Sequence, residues 1–157
     1  MRKLIPILLC LLMIGTLLTA CSDSTVSVTV NNKYENELAD QLASEKVTDD
    51  NGNTVYTFTK SQYLEYISKL MEKVKSEFRE VIYDTATYSY LNEDGTELVV
   101  GVDKTLYDET ECKEQAQEIG ELALLYNVST LDHTGKVTVT YENCNTGEDY
   151  FKSETKI

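Results

Sequence analysis

Short stretches that alternate apolar residues with Ser or Thr limit the fold of this chain more than any other feature. Val26, Val28 and Val30 alternate with Ser27 and Thr29, and later stretches repeat the pattern. A two-residue period places the apolar side chains on one face of a strand and the hydroxyl groups on the other. A sheet built from such strands has one face to bury and one face to leave in water.

Apolar residues at helical spacing separate these strands and predict three helices. The first follows Asn32, and the second begins at a capping box formed by Thr59 and Gln62. The three stripes comprise Tyr34, Leu38 and Leu42; Tyr63, Ile67, Leu70, Val74, Phe78 and Val81; and Cys112, Ala116, Ile119, Ala123 and Tyr126. We therefore expect an α+β fold, a two-layer sandwich in which an antiparallel sheet of hairpins carries about three helices on one face.

The sheet face away from the helices is a candidate binding face in this arrangement. Because the strands alternate, their hydroxyl-bearing side chains would lie together in solvent there. The candidate residues are Thr29, Thr57, Thr87, Ser89, Thr138 and Thr140.

A weak internal repeat runs through residues 26–157, which we expect to form one α+β domain. Asn51-Gly52 leads through a strand to Lys60 and Tyr63, and Asp94-Gly95 leads in the same way to Lys104 and Tyr107. Two similar halves meeting near residues 83–86 would explain the repeat. The alternative, which we favour, is a strand-to-helix design that two unrelated segments share.

The first twenty residues have the composition of an export signal. Met1-Arg2-Lys3 is basic, and residues 4–18 are almost wholly apolar. This apolar stretch suits a signal peptide and falls short of the roughly 20 residues of a stable membrane span. It ends in Leu18-Thr19-Ala20-Cys21, which resembles the lipobox of bacterial lipoproteins. We expect a lipoprotein signal peptide at 1–20, acylation of Cys21 and a short tether at 21–25; an ordinary secretory signal is the alternative.

Lipid rather than charge would then hold the protein to the extracytoplasmic face of the cell membrane. The chain has 14 Lys+Arg and 27 Asp+Glu, a net charge of −13, and loss of Arg2 and Lys3 gives −13 − 2 = −15. Anionic lipid headgroups repel such a body, so the acyl chains on Cys21 must provide the anchor in the bilayer. The same charge argues against nucleic acid, which needs clustered Lys and Arg, and favours a cationic protein or peptide as partner.

Two of the four cysteines remain for the folded domain. Cys10 leaves with the signal peptide, and acylation of Cys21 leaves Cys112 and Cys144. An exported domain meets oxidising conditions, and Cys112 heads the third helix while Cys144 follows the strand expected beneath it. We predict a disulfide between them; two unpaired buried thiols are the alternative.

The motifs of catalytic and metal sites are largely missing from the sequence. The chain has one histidine, so a site with several histidines is impossible. This residue, His133, lies in a polar turn. A calcium loop starting at Asp49 fails at Thr54 and Lys60, where glycine and glutamate are required. No pair of carboxylates stands out among the acidic residues. We predict no metal, no cofactor and no catalytic residue.

The lipobox and three later segments together resemble small surface lipoproteins of Gram-positive bacteria. The segments are residues 57–63, residues 101–104 and residues 136–141. Some such proteins are labelled as similar to an antigen I/II N-terminal domain. The resemblance implies an envelope location and transfers no catalytic residue.

Three functions follow from these features. The leading one is a membrane-anchored envelope lipoprotein that acts as a non-catalytic binding or interaction module with an unknown ligand. The alternative is a small carboxylate-dependent hydrolase acting on an envelope component. A purely structural or immunity-type lipoprotein is the third.

Overall fold

The computed structural model describes residues 24–157. The signal peptide predicted at 1–20 and the lipidation site Cys21 lie outside these residues. The strands are β1 (Thr25–Val30), β2 (Glu45–Thr48), β3 (Thr54–Thr59), β4 (Ala86–Leu91), β5 (Glu97–Val102), β6 (Lys136–Asn143) and β7 (Asp149–Lys156). The helices are α1 (Glu37–Leu42), α2 (Lys60–Val81) and α3 (Glu109–Ser129), with a 3-10 turn at Asn32–Tyr34.

The α+β class is confirmed: three helices accompany two sheets, consistent with a sandwich. The strands nevertheless divide into an antiparallel sheet of order β1-β3-β2 and a mixed sheet of order β4-β5-β6-β7. The expectation of one wholly antiparallel sheet was wrong, because β5 and β6 run parallel. Helix α3 connects them, and a long helical crossover brings the chain back in the same direction.

One hydrophobic core joins the two sheets through their helices. Helix α2 contacts β1 and β3, α3 contacts β6 and β7, and the helices pack against each other. Leu70 and Val74 of α2 belong to the same buried cluster as Ile119 and Ala123 of α3. Among residues 24–157, the buried hydrophobic residues run from Val28 to Tyr141 and form one cluster.

Local hydrogen bonds decide where each helix begins. The Thr59 and Gln62 capping box is confirmed, with reciprocal bonds of 2.8 and 3.3 Å opening α2. The helix predicted after Asn32 is broken, because Asn36 caps a new helix by accepting a 2.9 Å bond from the Ala39 N–H. Helix α3 begins after Asp108, whose side chain accepts hydrogen bonds from the Thr110 and Glu111 N–H groups. Asp103 closes an earlier turn by accepting from the Thr105 N–H at 2.8 Å.

Candidate functional site

The predicted hydroxyl face exists as two separate patches. The register of the three-stranded sheet places Thr29 beside Val55, and Thr57 beside Ser27, on its outer face. Thr138 and Thr140 lie on the outer face of the other sheet, where β5 and β7 flank them. Thr138 is half-buried, and the expectation that Thr140 is open to solvent was wrong, because its side chain is buried. The prediction that helices cover the valine face is confirmed, since Val28, Val100 and Val139 are buried, whereas Thr29 is exposed.

Strand β4 departs from the predicted pattern and reverses its faces. Ser89 lies opposite the buried Val100, whereas Tyr88 and Tyr90 lie opposite Gly101 and Val99 on the outer face. Tyr88 is 41% exposed and Tyr90 is 60% exposed. Because the sequence predicts Thr87 and Ser89 on the open face, strict alternation would turn these tyrosines toward the core, and that arrangement is wrong. Ser89 lies on the helix side of the sheet, although its side chain is exposed on this edge strand.

A bulge in β4 accounts for the reversal. The register shifts between Ala86 and Tyr88, so Thr87 is the extra residue and has no partner in the ladder. One inserted residue moves every later side chain of the strand to the opposite face. Thr87 is exposed but has no partner on β5, so the ladder does not assign it to the row of Thr138 and Thr140.

The ring of Tyr88 lies flat across the neighbouring strand. A Cβ atom at Gly101 would come within 2.3 Å of the Tyr88 ring, so only glycine leaves room for it. The hydroxyl donates a hydrogen bond to the Glu142 carboxylate on β6, which raises the pKa of Tyr88 to about 12. These contacts fix the ring on the open face of the four-stranded sheet. Glycine inside a strand signals such a close approach, and this sign is visible in the sequence.

A second surface is a groove between the C-terminal part of α2 and the N-terminal part of α3. Glutamates line it from both helices: Glu77, Glu80, Glu111, Glu114 and Glu118. Val81 and Leu122 are half-buried, pack against the core and form an apolar floor. The groove encloses about 620 Å³. We call it the glutamate groove.

Few cations neutralise the glutamate groove. Lys73 lies 3.8 Å from Glu77, and Lys33 lies 2.8 Å from Glu121, which continues the α3 row. Within residues 24–157, Glu111, Glu114 and Glu118 form no ion pair. The helix dipole favours a carboxylate at Glu111 in the first turn, but Glu114 and Glu118 lie beyond it and repel each other across one turn.

Only the α3 side of this groove can be recognised in the sequence. Glutamates at 111, 114, 118 and 121 follow helical spacing and share one face of α3. Such a row is usually a solvated face, so the sequence alone predicts no function for it. Glu77 and Glu80 join it only through the packing of α2 on α3, which no local pattern reveals.

The two cysteines are free thiols in the structure. Cys112 is buried, which raises the pKa of its thiol, and Cys144 is half-buried. The Cys144 N–H donates to the Val102 carbonyl at 3.0 Å, so Cys144 lies at the carboxyl end of β5. The predicted disulfide is not formed here and stays a prediction for the oxidised protein.

The shifted carboxyl groups are all shifted toward the anion. Hydrogen bonds from Lys46 lower the pKa of Asp40 and Glu35, and bonds in turns lower those of Asp49, Asp94 and Asp103. A general acid needs the opposite shift. Over residues 24–157 no group of three His, Cys, Asp or Glu side chains is arranged to hold a metal ion.

No protein-family model, curated protein or solved structure matches this chain. No helix in the described part of the chain has both the length and the apolar character needed to cross a membrane. The resemblance to Gram-positive surface lipoproteins therefore stays a prediction.

Proposed function

We propose that this protein is a lipid-tethered, non-catalytic binding module on the extracytoplasmic face of the cell membrane. The apolar leader and Leu18-Thr19-Ala20-Cys21 support the tether. Strand β1 begins at Thr25, four residues after Cys21, so at most about 14 Å of chain separates the lipid from the folded domain. The module therefore works close to the bilayer.

The fixed ring of Tyr88 is the observation that supports binding best. An aromatic ring held in place adds apolar contact area without losing conformational freedom when a ligand arrives. Tyr90 lies two residues along the same face, and the half-buried Thr138 on β6 adds a hydroxyl group to this face. This face offers apolar contact beside hydroxyl groups, which suits a protein, a peptide or a wall component. The net charge favours cationic partners.

No observation favours the hydrolase alternative. It requires two carboxyl groups with raised pKa values in one pocket, so that one acts as an acid. The carboxyl groups with shifted pKa values, such as Asp40 and Asp103, are shifted downward instead.

Replacement of Cys21 tests the tether. Cys21→Ala should release the protein into the medium or leave it unprocessed, because no thiol remains to take the lipid. The matched control is Cys10→Ala, which should remain processed and membrane-bound. Fractionation and the mass of the N-terminal peptide report both outcomes. Normal processing and retention of Cys21→Ala would exclude the lipoprotein assignment.

Replacement of the tyrosines tests the binding face. The wild-type domain is used to pull down proteins from the envelope and the medium. The Tyr88→Ala/Tyr90→Ala variant should no longer retain the proteins that the wild type retains. The control Leu64→Ala/Leu131→Ala removes side chains of 59% and 55% exposure elsewhere on the surface and should retain them. Each retained protein is then purified and its affinity measured. Equal affinity for all three chains would show that this face does not bind.

A further inference from the structure

We propose that the glutamate groove binds a cationic amphipathic peptide segment. The segment would lay apolar side chains on Val81 and Leu122 and place Lys or Arg against the glutamates on both rims. This inference rests on the proposed function as a binding module, and it names the class of partner and the surface that receives it.

The floor of the groove supplies the apolar half of this recognition. Val81 and Leu122 contact the core from one side and border open space on the other. A volume of about 620 Å³ accommodates several side chains and falls within the usual range of ligand pockets. An amphipathic segment lying in a groove between helices is an established way of recognising a peptide.

The negative charge of the groove favours a cationic ligand. Glutamates from two helices face the same space, and Glu111, Glu114 and Glu118 have no cationic partner in the described part of the chain. Lysine or arginine from a ligand would relieve the repulsion between glutamates along α3. The binding free energy would then include this relief as well as the new ion pairs.

The spread of the carboxylates favours a chain of positive charges over a single ion. No three acidic side chains in residues 24–157 converge as metal ligands. The α3 row from Glu111 to Glu121 extends about 15 Å at 1.5 Å per residue. A ligand that satisfies it must carry several cations over that length, as a basic peptide does.

The position of the groove keeps it away from the tether. The Lys60 N–H donates to the Ser24 carbonyl at 3.1 Å, so α2 begins beside the tether. Glu77 and Glu80 are near the other end of α2, about 25–30 Å along its axis. That distance exceeds the Debye length of about 8 Å at physiological salt. Headgroups beside the tether therefore compete little for the same basic segment.

A charge-matched pair of variants tests the proposal. The protein is the chain from Ser22, which keeps every residue of the core cluster in residues 24–157 and lacks Cys21, and circular dichroism verifies its folding. The probe is a labelled Lys/Leu peptide of about 14 residues, long enough to span the groove as a helix. Fluorescence anisotropy gives the affinity of wild type, of Glu111→Gln/Glu114→Gln/Glu118→Gln, and of Glu45→Gln/Glu93→Gln/Glu97→Gln, which changes the net charge equally.

The groove variant should bind the peptide about tenfold more weakly than wild type, which corresponds to about 1.4 kcal/mol. The control variant should differ from wild type by less than about twofold, because screening weakens its distant charges. Equal weakening in both variants would overturn the proposal, since the overall charge would then explain the binding. So would the absence of binding to wild type.

A floor variant separates the apolar contribution from the charge. Leu122→Ser should weaken the Lys/Leu peptide and leave an oligolysine of the same charge unaffected, whereas the exposed control Leu64→Ser should alter neither. Loss of affinity for both peptides in Leu122→Ser would contradict the role of the floor. If the groove fails these tests while partners still need Tyr88 and Tyr90, the inference is wrong and the proposed binding module stands.

Discussion

The two halves of the molecule repeat a hairpin and a helix but add their third strand differently. The hairpin β2–β3 leads into α2 and the hairpin β4–β5 into α3, with Gly52 and Gly95 at φ values of 80° and 70° in the turns. Strand β1 precedes its hairpin and pairs antiparallel with β3, whereas β6 follows its helix and pairs parallel with β5. The extra strand thus runs antiparallel to its neighbour in the first half and parallel to it in the second.

The turns of the two hairpins also differ in how they are held. The turn at Gly52 has open space around it, whereas the turn at Gly95 packs against Tyr126 and Asn127 of α3. The buried Asn127 donates to the Asp94 carbonyl at 2.8 Å and accepts from the Gly135 N–H at 3.0 Å. The second half is therefore tied to its helix by buried polar contacts that the first half lacks at this point.

Loss of a core leucine should give the largest effect and should show whether the halves unfold together. Leu70→Ala in α2 and Leu124→Ala in α3 each remove a fully buried side chain. Each should lower the free energy of unfolding by about 2–5 kcal/mol. Because one core spans both helices, urea melts followed by tyrosine fluorescence and by far-UV circular dichroism should coincide. Two separate transitions would show that the halves are independent.

Oxidation should stabilise the whole fold through a bridge that lies within the second half. A Cys112–Cys144 bridge would join the start of α3 to the turn after β6 and stabilise the fold by about 3–4 kcal/mol in the chain-entropy model. Protein prepared without Cys21 from an oxidising compartment, then unfolded without reductant, should show no free thiol on titration. Two titratable thiols would support the free state seen in the structure.

Removal of the buried amide should distinguish the two hairpin turns. Asn127→Ala leaves the Gly135 N–H and the Asp94 carbonyl without partners and should cost about 2–3 kcal/mol of unfolding free energy. The control is Asn53→Ala, whose amide bonds to the Asp49 carboxylate at 3.2 Å in the other turn. It should cost less than about 1 kcal/mol, because water replaces that bond. Equal costs in denaturant melts would contradict the contrast between the turns.

The smallest expected effect concerns the edge of the first sheet and depends on pH. Lys46 on β2 bonds to Asp40 and Glu35 at 2.8 Å and lowers the pKa of both carboxyl groups. A lowered carboxyl pKa stabilises the fold above the unfolded values of about 4, and this is lost as the pH falls below them. Lys46→Met should therefore destabilise at pH 7, and its difference from wild type should close below about pH 4. Lys69→Met, which breaks one exposed pair, should show a smaller pH-dependent difference.

Periodicity predicted the strands, the buried valines and the helical stripes, because each depends on neighbours in sequence. It failed where one extra residue shifts the two-residue alternation of a strand. The bulge at Thr87 places Tyr88 on the open face, where the alternation predicted Ser89. It also could not assign strand direction, since the pairing of β5 with β6 depends on how α3 packs. The glutamate groove was missed because half of it comes from α2 and half from α3.

A map of the binding surface tests the account most directly. Isotope-labelled protein from Ser22 is titrated with the Lys/Leu peptide, and amide shifts are followed residue by residue in NMR spectra. We predict that the largest changes fall on residues 77–81 and 111–122, and that Glu111→Gln/Glu114→Gln/Glu118→Gln shifts the same titration to about tenfold higher peptide concentration. Changes centred on Tyr88 and Tyr90, or spread evenly over every acidic surface, would contradict binding in the glutamate groove.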